Sequence, residues 1–224
     1  MIKMINDQFR YQIRDISVPL RNDMVLWPGS PRFYIQWVKR LEDGQHCNAS
    51  VLHCDMHAGT HIDAPLHYLA NGKDIAECKL NHLCGSVYVA ECKGKRLIGP
   101  EELKESNIPK SCHRLLLRTD NSKDLLANQN LFDQNFCALS EEGAIWITER
   151  NILLVGIDYL SIQPFKQHDL VHSILLESQV LILEGLNLNG VELGWWELFC
   201  LPLLLPEAEA SPARAILRRP IQVL

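Results

Sequence analysis

The chain has 224 residues, of which 47% are hydrophobic and 22% charged, with a formal net charge of −5 at pH 7. This length and composition predict one compact globular domain over residues 1–224, with a core large enough to fold without disulfides. They exclude a disordered tail, a collagen-like rod and a disulfide-stapled miniprotein. The mildly acidic balance argues against a nucleic-acid partner, which would require a basic surface.

The eight cysteines show no C-x-x-C spacing. The first twenty residues carry five charges and no apolar segment, so we expect no export signal. We therefore predict a cytoplasmic protein with reduced thiols, most of them small buried hydrophobes. No run approaches the ~20 apolar residues of a membrane span, so no membrane association is expected.

The first half of the chain has mostly β patterns. Alternation and turn residues predict extended segments at 14–20, 33–41, 48–56 and 86–90, a turn over 27–31 and a short helix over 101–105. Pro100, just before that helix, suits its first turn.

The second half alternates apolar runs with helical patterns. Continuous apolar runs predict strands buried on both faces at 114–119, 152–157 and 180–183. Helices are predicted over 142–150, opened by Ser140, and over 171–177, with further strands at 198–205 and 213–218. This alternation predicts an α/β fold with a parallel or mixed sheet covered by helices.

The most informative segment runs from His57 to His67 and reads His-Ala-Gly-Thr-His-Ile-Asp-Ala-Pro-Leu-His. It places three histidines and one aspartate within eleven residues, beside a glycine that permits unusual backbone angles and a proline that stiffens the exit. A bent, rigid segment is what convergent ligands require. Imidazole nitrogen and carboxylate oxygen together suit zinc or manganese, so the segment predicts a metal site.

A local cluster rarely completes such a site, so more distant ligands are expected. The candidates are His168, Asp169, His172, Glu177 and Glu184. His168 and His172 are four residues apart and could share a helix face. Glu184 ends a buried apolar run, where a carboxylate is costly unless it is paired with a charge or a metal. Glu177 is expected in solvent, and His46, His53, His82 and His113 are expected to be ordinary polar residues.

The segment from His57 to His67 resembles the signature of the metal-dependent cyclase-family hydrolases, whose best-known members are the bacterial kynurenine formamidases. Further blocks of the chain also look like those of the family: Trp27-Pro-Gly, Leu154-Val-Gly-Ile-Asp, Ile182-Leu-Glu-Gly-Leu, Leu201-Pro-Leu and Ser211-Pro-Ala-Arg-Ala-Ile-Leu. The resemblance therefore covers nearly the whole chain, and its His/Asp motif is the most specific part.

The resemblance implies a ligand set for one or two divalent ions per subunit. His57 and His61 match the histidines of a first metal. Asp63 matches a carboxylate that can bridge two metals. His172 matches a histidine of the second metal, and Glu184 matches the other bridging carboxylate. Zn²⁺ is the first expectation for the ion, and Mn²⁺ is the alternative.

The resemblance also implies the remaining parts of an enzyme. His67 matches the catalytic histidine, and Trp27 matches an aromatic residue that lines the substrate pocket. The family fold is a three-layer α/β domain of the swivelling β/β/α type with mixed sheets. Family members are generally homodimers or larger homo-oligomers.

These features support three hypotheses on function. The first is a metal-dependent amide hydrolase that releases formate from N-formylkynurenine or a related aryl formamide. The second is hydrolysis of a cyclic amide, as in the isatin hydrolases of the same family. This alternative stays open because the chain departs from kynurenine formamidases at two places. Gln163 stands where those enzymes tend to carry aspartate, and the chain reads Ser211-Pro-Ala-Arg where they tend to read Ser-Pro-Val-Arg.

The third hypothesis is from another class, a non-catalytic module that binds a metal or a small molecule. The presence of His67 counts against it, because none of the assigned ligand positions requires a histidine there. A structural zinc site is less well supported still, because such sites are usually rich in cysteine and closed.

Overall fold

The computed structural model of the chain describes residues 11–123, 131–165 and 170–221. The strands of these ranges are β1 (Tyr11–Asp15), β2 (Tyr34–Lys39), β3 (Ala49–His53), β4 (His61–Asp63), β5 (Cys84–Glu91), β6 (Leu97–Ile98), β7 (Arg114–Arg118), β8 (Ala138–Leu139), β9 (Leu154–Ile157), β10 (Leu181–Glu184), β11 (Gly194–Pro202) and β12 (Ala210–Pro220). The α-helices are α1 (Leu80–Leu83), α2 (Pro100–Glu105), α3 (Glu141–Thr148) and α4 (Val171–Glu177). Short 3-10 helices span Leu41–Asp43, Pro65–His67 and Ile75–Glu77.

Eight strands form one sheet in the order β1-β12-β11-β5-β7-β9-β10-β4. Because β4 pairs with both β10 and β12, the last seven strands of this order close into a barrel-like ring, and β1 extends it beyond β12. Strands β5, β7, β9 and β10 are parallel, and the remaining pairings of the sheet are antiparallel. The three-residue strand β4 therefore closes the sheet.

The apolar runs of the central strands bury both of their faces. Leu116 points into the ring, in a core that takes residues from all seven closed strands. Leu115 and Leu117 point the other way, into a second core formed with α2, α3 and α4. This follows from the two-residue period of a strand, which sends successive side chains to opposite faces. A strand covered on both sides therefore reads as a continuous apolar run.

Most of the predicted elements are confirmed, with shifted ends. The buried runs form β7, β9 and β10, and both long predicted helices form as α3 and α4. Ser140 caps α3, where its Oγ accepts a hydrogen bond from the backbone N–H of Gly143 at 3.0 Å. The predicted strand over 14–20 ends earlier, at Asp15, and the strand predicted over 198–205 begins earlier and ends at Pro202. Neither β4 nor α1 was predicted, because both are too short to show a period.

The fold class is a mixed α/β protein with a closed, barrel-like sheet and few helices, as the sequence predicts at the level of class. The finer three-layer description stays a prediction. All eight cysteines are free, and four of them are buried. Within the described ranges, the longest helix has eight residues, and none is long and apolar enough to cross a bilayer.

Candidate metal centre

The site lies where β4 and β10 close the sheet. In their antiparallel register, His61 is opposite Glu184, and Asp63 is opposite Ile182. Ile62, between His61 and Asp63, points into the ring and is fully buried. The two-residue period therefore places His61, Asp63 and Glu184 together on the outer face of the sheet.

Two glycines allow the chain segments behind the site to cross closely. Gly185 has φ 67° and Gly59 has φ 64°, angles that suit a residue without a side chain. A Cβ on Gly185 would lie 1.9 Å from the carbonyl oxygen of Gly59, so only glycine fits there. Thr60 joins the two segments, because its hydroxyl donates to the carbonyl of Gly185 at 2.6 Å.

The imidazole of His61 is oriented by its own loop. Its Nδ1 donates to the carbonyl of Gly59 at 3.0 Å, which turns Nε2 toward the carboxylates. This Nε2 lies 3.3 Å from Oε2 of Glu184 and 3.5 Å from Oδ1 of Asp63. His57 approaches the same Asp63 oxygen, with its Nδ1 at 3.0 Å. The two histidines therefore converge on one carboxylate oxygen.

Helix α4 brings His172 to the other side of the carboxylates. Its Nε2 lies 3.2 Å from Oε1 of Glu184 and 3.7 Å from Oδ2 of Asp63. Gln163 holds this ring, because its Oε1 accepts hydrogen bonds from the Nδ1 of His172 at 3.2 Å and from its backbone N–H at 3.3 Å. The backbone N–H of Ile162 in turn donates to Oε1 of Glu184 at 2.7 Å. One loop after β9 thus positions two candidate ligands.

The cluster has the properties of a metal-binding site. His61 and Asp63 are fully buried, yet in the part of the chain that the structure describes no well-aligned hydrogen bond reaches His61 Nε2 or either carboxylate oxygen of Asp63. Their neighbours are the other candidate ligand atoms, at 3.0 to 3.7 Å. Orphaned polar atoms of this kind are costly and rare in protein interiors. Ligand atoms of His61, Asp63 and Glu184 lie within 4.8 Å of one another, as do those of His57, Asp63 and His67. A mixed nitrogen and oxygen donor set of this spacing fits a divalent metal ion.

The ionisation of the residues in the cluster also favours a bound cation. Although burial opposes ionisation of Asp63, the contacts with His57 and His61 hold the pKa of this carboxyl well below its usual value. Burial and the neighbouring Asp63 also oppose the charge of Glu184, but His172 and His61 lower its pKa. Burial disfavours the charged form of His57, but Asp63 and two glutamates raise its pKa to about 9. Two buried carboxylates are therefore anionic and need positive charge beside them.

His67 lies in the 3-10 helix Pro65–His67, beside the other imidazoles. Its ring centroid is 4.3 Å from that of His57 and 5.7 Å from that of His172. Burial lowers the pKa of His67, Asp63 opposes this shift, and the nearby imidazole of His57 adds to it, so the pKa stays below its usual value and this imidazole is neutral near pH 7. A neutral imidazole at this position has a nitrogen available for a proton or for a metal.

A cavity of about 210 Å³ opens over the cluster, lined among others by Trp27, His57, His67, Tyr68, His172 and Glu184. Trp27 packs edge-on against Phe132 and Phe165, with ring centroids 5.0 and 5.2 Å away. The lining of the cavity therefore combines one tryptophan, backed by two phenylalanines, with four of the candidate site residues. Trp27 therefore lies in the same cavity as the candidate ligands, and its role in binding a substrate stays a prediction.

The structure brings all seven predicted site residues to this one place and adds others. Tyr68 stacks on His172 with ring centroids 4.6 Å apart, and Oε1 of Glu209 lies 3.3 Å from Nε2 of His57. Tyr68 directly follows the motif, but nothing in the sequence marks Glu209. Glu177 is exposed on α4, as expected. His168 and Asp169 lie outside the described residues.

The fold and the site together define a class: a barrel-like α/β protein with a histidine and carboxylate cluster on the outer face of its sheet. The sequence profile of the family described as "Putative cyclase" matches residues 14–164, which is more than half of the chain. The chain therefore belongs to the cyclase family.

Relatives of known sequence and structure support this membership. The chain is 35% identical to a kynurenine formamidase of Bacillus cereus over 207 residues, which cover 91% of this chain and 96% of that protein. A solved structure titled as a potential metal-dependent hydrolase with cyclase activity superposes with a TM-score of 0.80 at 27% identity, covering 93% of this chain and 98% of that one. An isatin hydrolase bound to thioisatinate shares the fold, with a TM-score of 0.81 at 19% identity over 94% and 93% of the two chains.

Proposed function

We propose that the protein is a metal-dependent hydrolase of carbon–nitrogen bonds other than peptide bonds, and that it releases formate from N-formylkynurenine or a related aryl formamide. The observation that carries the proposal is the set of buried ligand atoms of His61 and Asp63 that make no well-aligned hydrogen bond, beside a cavity lined by Trp27, His57, His67, His172 and Glu184. The similarity to a kynurenine formamidase at 35% identity supports the substrate class.

The ligand roles follow the resemblance to the family. His57, His61 and Asp63 would hold a first ion, and His172 with Glu184 and Asp63 a second. The donor atoms that lie within 4.8 Å of one another group differently, as His57, Asp63 and His67 and as His61, Asp63 and Glu184. Zn²⁺ is the first candidate and Mn²⁺ the second, with one or two ions per subunit. When bound, a divalent ion lowers the pKa of a water molecule and polarises the carbonyl of the substrate.

His67 would act as general base and then as general acid. Its lowered pKa keeps the imidazole neutral, so it can accept a proton from water in the cavity and return it to the leaving nitrogen. Trp27 would receive the aryl group, because its indole ring lines the cavity and is held there by edge-on contacts with Phe132 and Phe165. Tyr68 would keep His172 in place by stacking.

Hydrolysis of a cyclic amide is the second candidate. It is favoured by Gln163, which contacts His172 as a neutral amide where kynurenine formamidases tend to carry a carboxylate. The change leaves one negative charge fewer beside the site, which would alter the preferred substrate without removing a ligand.

Formate release from N-formylkynurenine, measured with and without a chelator beside a panel of cyclic amides, tests the proposal. Chelator-sensitive formate release supports the formamidase, and chelator-sensitive opening of cyclic amides supports the second candidate. Tight metal binding without hydrolysis of any of these substrates would contradict both and favour a non-catalytic binding module. Metal analysis of the same samples identifies the ion and its stoichiometry.

The remaining predictions belong with this proposal. They are a single domain over residues 1–224 with the three-layer swivelling β/β/α arrangement, a cytoplasmic location, and a homodimer or larger homo-oligomer that binds small molecules rather than nucleic acid or membranes. Family membership supports the fold.

A further inference from the structure

The candidate ligand histidines each have two ring nitrogens, of which one faces the buried carboxylates. In a metal site, the other nitrogen of a histidine ligand nearly always donates to an acceptor outside the ligand set, which fixes the tautomer and the orientation of the ring. His61 and His172 show this arrangement. Nδ1 of His61 faces the carbonyl of Gly59 at 3.0 Å, and Nδ1 of His172 faces Oε1 of Gln163 at 3.2 Å.

His57 follows the same pattern with a different acceptor. Its Nδ1 lies 3.0 Å from Oδ1 of Asp63, and its Nε2 lies 3.3 Å from Oε1 of Glu209. Glu209 is not among the described residues that line the cavity, so it contacts His57 without forming part of the cavity wall. Of the three outer acceptors, Glu209 is the one that carries a negative charge.

The orientation of His57 depends more on such a contact than that of the other two histidines. The side chain of His57 is 23% exposed, whereas those of His61 and His172 are 0% and 5% exposed. Packing fixes a buried ring, but a partly exposed ring is held mainly by its hydrogen bonds. The neighbouring rings of His61 and His67, with centroids 5.1 and 4.3 Å away, leave Nε2 of His57 facing Glu209.

The backbone around Glu209 is tied to the segment that follows the histidine motif. The carbonyl of Glu209 accepts a hydrogen bond from the backbone N–H of Ala64 at 2.9 Å. Two residues earlier, the backbone N–H of Glu207 donates to Oδ2 of Asp74 at 2.7 Å. These bonds hold Glu209 where β12 begins to pair with β4, so its backbone is fixed although 40% of its side chain is exposed.

We propose that Glu209 is a positioning residue of the metal centre: its carboxylate accepts a hydrogen bond from the Nε2–H of His57 and leaves Nδ1, which faces Asp63, as the nitrogen that binds the ion. The acceptor at one ring nitrogen decides which nitrogen of a histidine carries the proton and which binds a metal. A charged acceptor also makes the imidazole a stronger ligand. The inference rests on the metal-binding part of the proposed function and does not depend on the substrate.

The zinc affinity of the full chain, measured in competition with a chromophoric chelator, tests this role without reference to activity. Glu209→Leu removes the acceptor and should raise the zinc dissociation constant about 10- to 100-fold. Glu209→Gln keeps an oxygen at the same distance along the side chain. It should restore part of the affinity, because a neutral acceptor forms a hydrogen bond about half as strong as a charged one.

Glu207→Gln is the matched control for charge. It removes the same negative charge at an exposed position two residues away and should leave the zinc affinity unchanged. Circular dichroism of the metal-free proteins verifies that each variant is folded. Should Glu209→Leu lose its native spectrum, Glu209→Ala takes its place, because alanine also removes the acceptor.

The tautomer of His57 is a second readout, which a merely structural role of Glu209 would not affect. Nitrogen NMR of the histidine rings in the zinc-loaded wild type should show His57 protonated at Nε2 and unprotonated at Nδ1. A zinc-loaded His57 that is protonated at Nδ1 would overturn the proposal, because Nε2 would then be the ligand atom.

The affinities separate the remaining outcomes. Unchanged zinc affinity in Glu209→Leu would overturn the role of Glu209, and equally weak binding by the leucine and glutamine variants would overturn the role of the hydrogen bond. A lower zinc stoichiometry in Glu209→Gln would make Glu209 a ligand rather than a positioning residue. A wild type that binds neither zinc nor manganese would overturn the proposed function itself, and this inference with it.

Discussion

Two pairs of antiparallel strands in this protein depart from the rule that charged residues are exposed and apolar residues are buried. The seam of β4 and β10 buries ionisable groups, with His61 and Asp63 fully inaccessible and Glu184 3% exposed. The hairpin of β2 and β3, which we call the arm (residues 34–53), exposes apolar groups, with Trp37 46% accessible. Interiors normally exclude unpaired charges and exposed surfaces normally avoid large apolar patches.

In both places, residues lie in an environment that is unfavourable for their chemistry. At the seam, His61 Nε2 and the carboxylate oxygens of Asp63 are suited to bind a cation, because positive charge offsets the desolvation of the Asp63 and Glu184 carboxylates. On the arm, the exposed side chains leave apolar surface in water, and burial of such surface is favourable at about 25 cal/mol per Å². The kind of residue in each place therefore determines what would stabilise it.

The largest expected effect comes from removing a ligand at the seam. His61→Ala should lose bound metal and reduce hydrolysis roughly 1,000-fold, because the several kcal/mol contributed by a metal correspond to about three powers of ten in rate. Metal content by mass spectrometry and formate release measure the two effects. Unchanged metal stoichiometry in this variant would show that His61 is not a ligand.

A loss of activity of similar size, but without loss of metal, is expected at His67. His67→Ala should keep its metal and lose about 100- to 10,000-fold in kcat, the usual contribution of a general acid–base group. Metal analysis together with steady-state kinetics separates this outcome from that of His61→Ala. Loss of metal along with activity would instead make His67 a ligand, a role that its distance to His57 and Asp63 also permits.

Metal removal should destabilise the fold at the seam. At a free metal concentration 100 times its dissociation constant, binding contributes about 2.7 kcal/mol, which corresponds to about 5–10 °C in Tm for a chain of this size. Thermal unfolding with a chelator, and again after zinc is restored, measures the shift. The matched control is His61→Ala, whose Tm should not respond to the chelator. A wild type equally insensitive to the chelator would contradict a metal at this position.

Variants at Gln163 test how strongly metal affinity depends on the positioning of His172. Gln163→Leu removes the acceptor of two hydrogen bonds from His172 and should weaken metal binding about 10- to 100-fold. Gln163→Glu, which keeps an acceptor, should restore most of the affinity. Titration calorimetry measures both, and Glu177→Gln, an exposed position on the same helix, is the control. Equal affinities for the leucine variant and the wild type would remove Gln163 from this role.

The smallest effect is expected on the stability of the isolated chain when the arm is changed. At concentrations where the chain is monomeric, Trp37→Ala should alter the free energy of unfolding by less than about 0.5 kcal/mol, because the side chain is exposed. Ile62→Ala at the seam should cost about 2–5 kcal/mol, because Ile62 is fully buried. Denaturant titration compares the two, and similar losses would mean that the arm packs on its own chain.

Much of the fold could be predicted because burial leaves a local pattern. The runs that form β7, β9 and β10 are apolar throughout, and the cap at Ser140 marks the start of α3. The closure of the sheet could not be predicted, because β4 has three residues and pairs with strands more than 100 positions away. The exposure of the arm also could not be predicted from the sequence, since the alternating pattern of β2 is typical of a strand with one buried face.

The sequence by itself determined the chemistry of the site. The spacing of His57, His61, Asp63 and His67 indicates a metal, and the resemblance to the cyclase family supplies His172, Glu184 and Trp27. Only the tertiary structure decided that Gln163 holds His172 and that Glu209 approaches His57. It also decided that the arm stands apart from the barrel. The physical reason is that ligand type and strand period are local properties, whereas the pairing of distant strands and the exposure of a surface depend on what the rest of the chain covers.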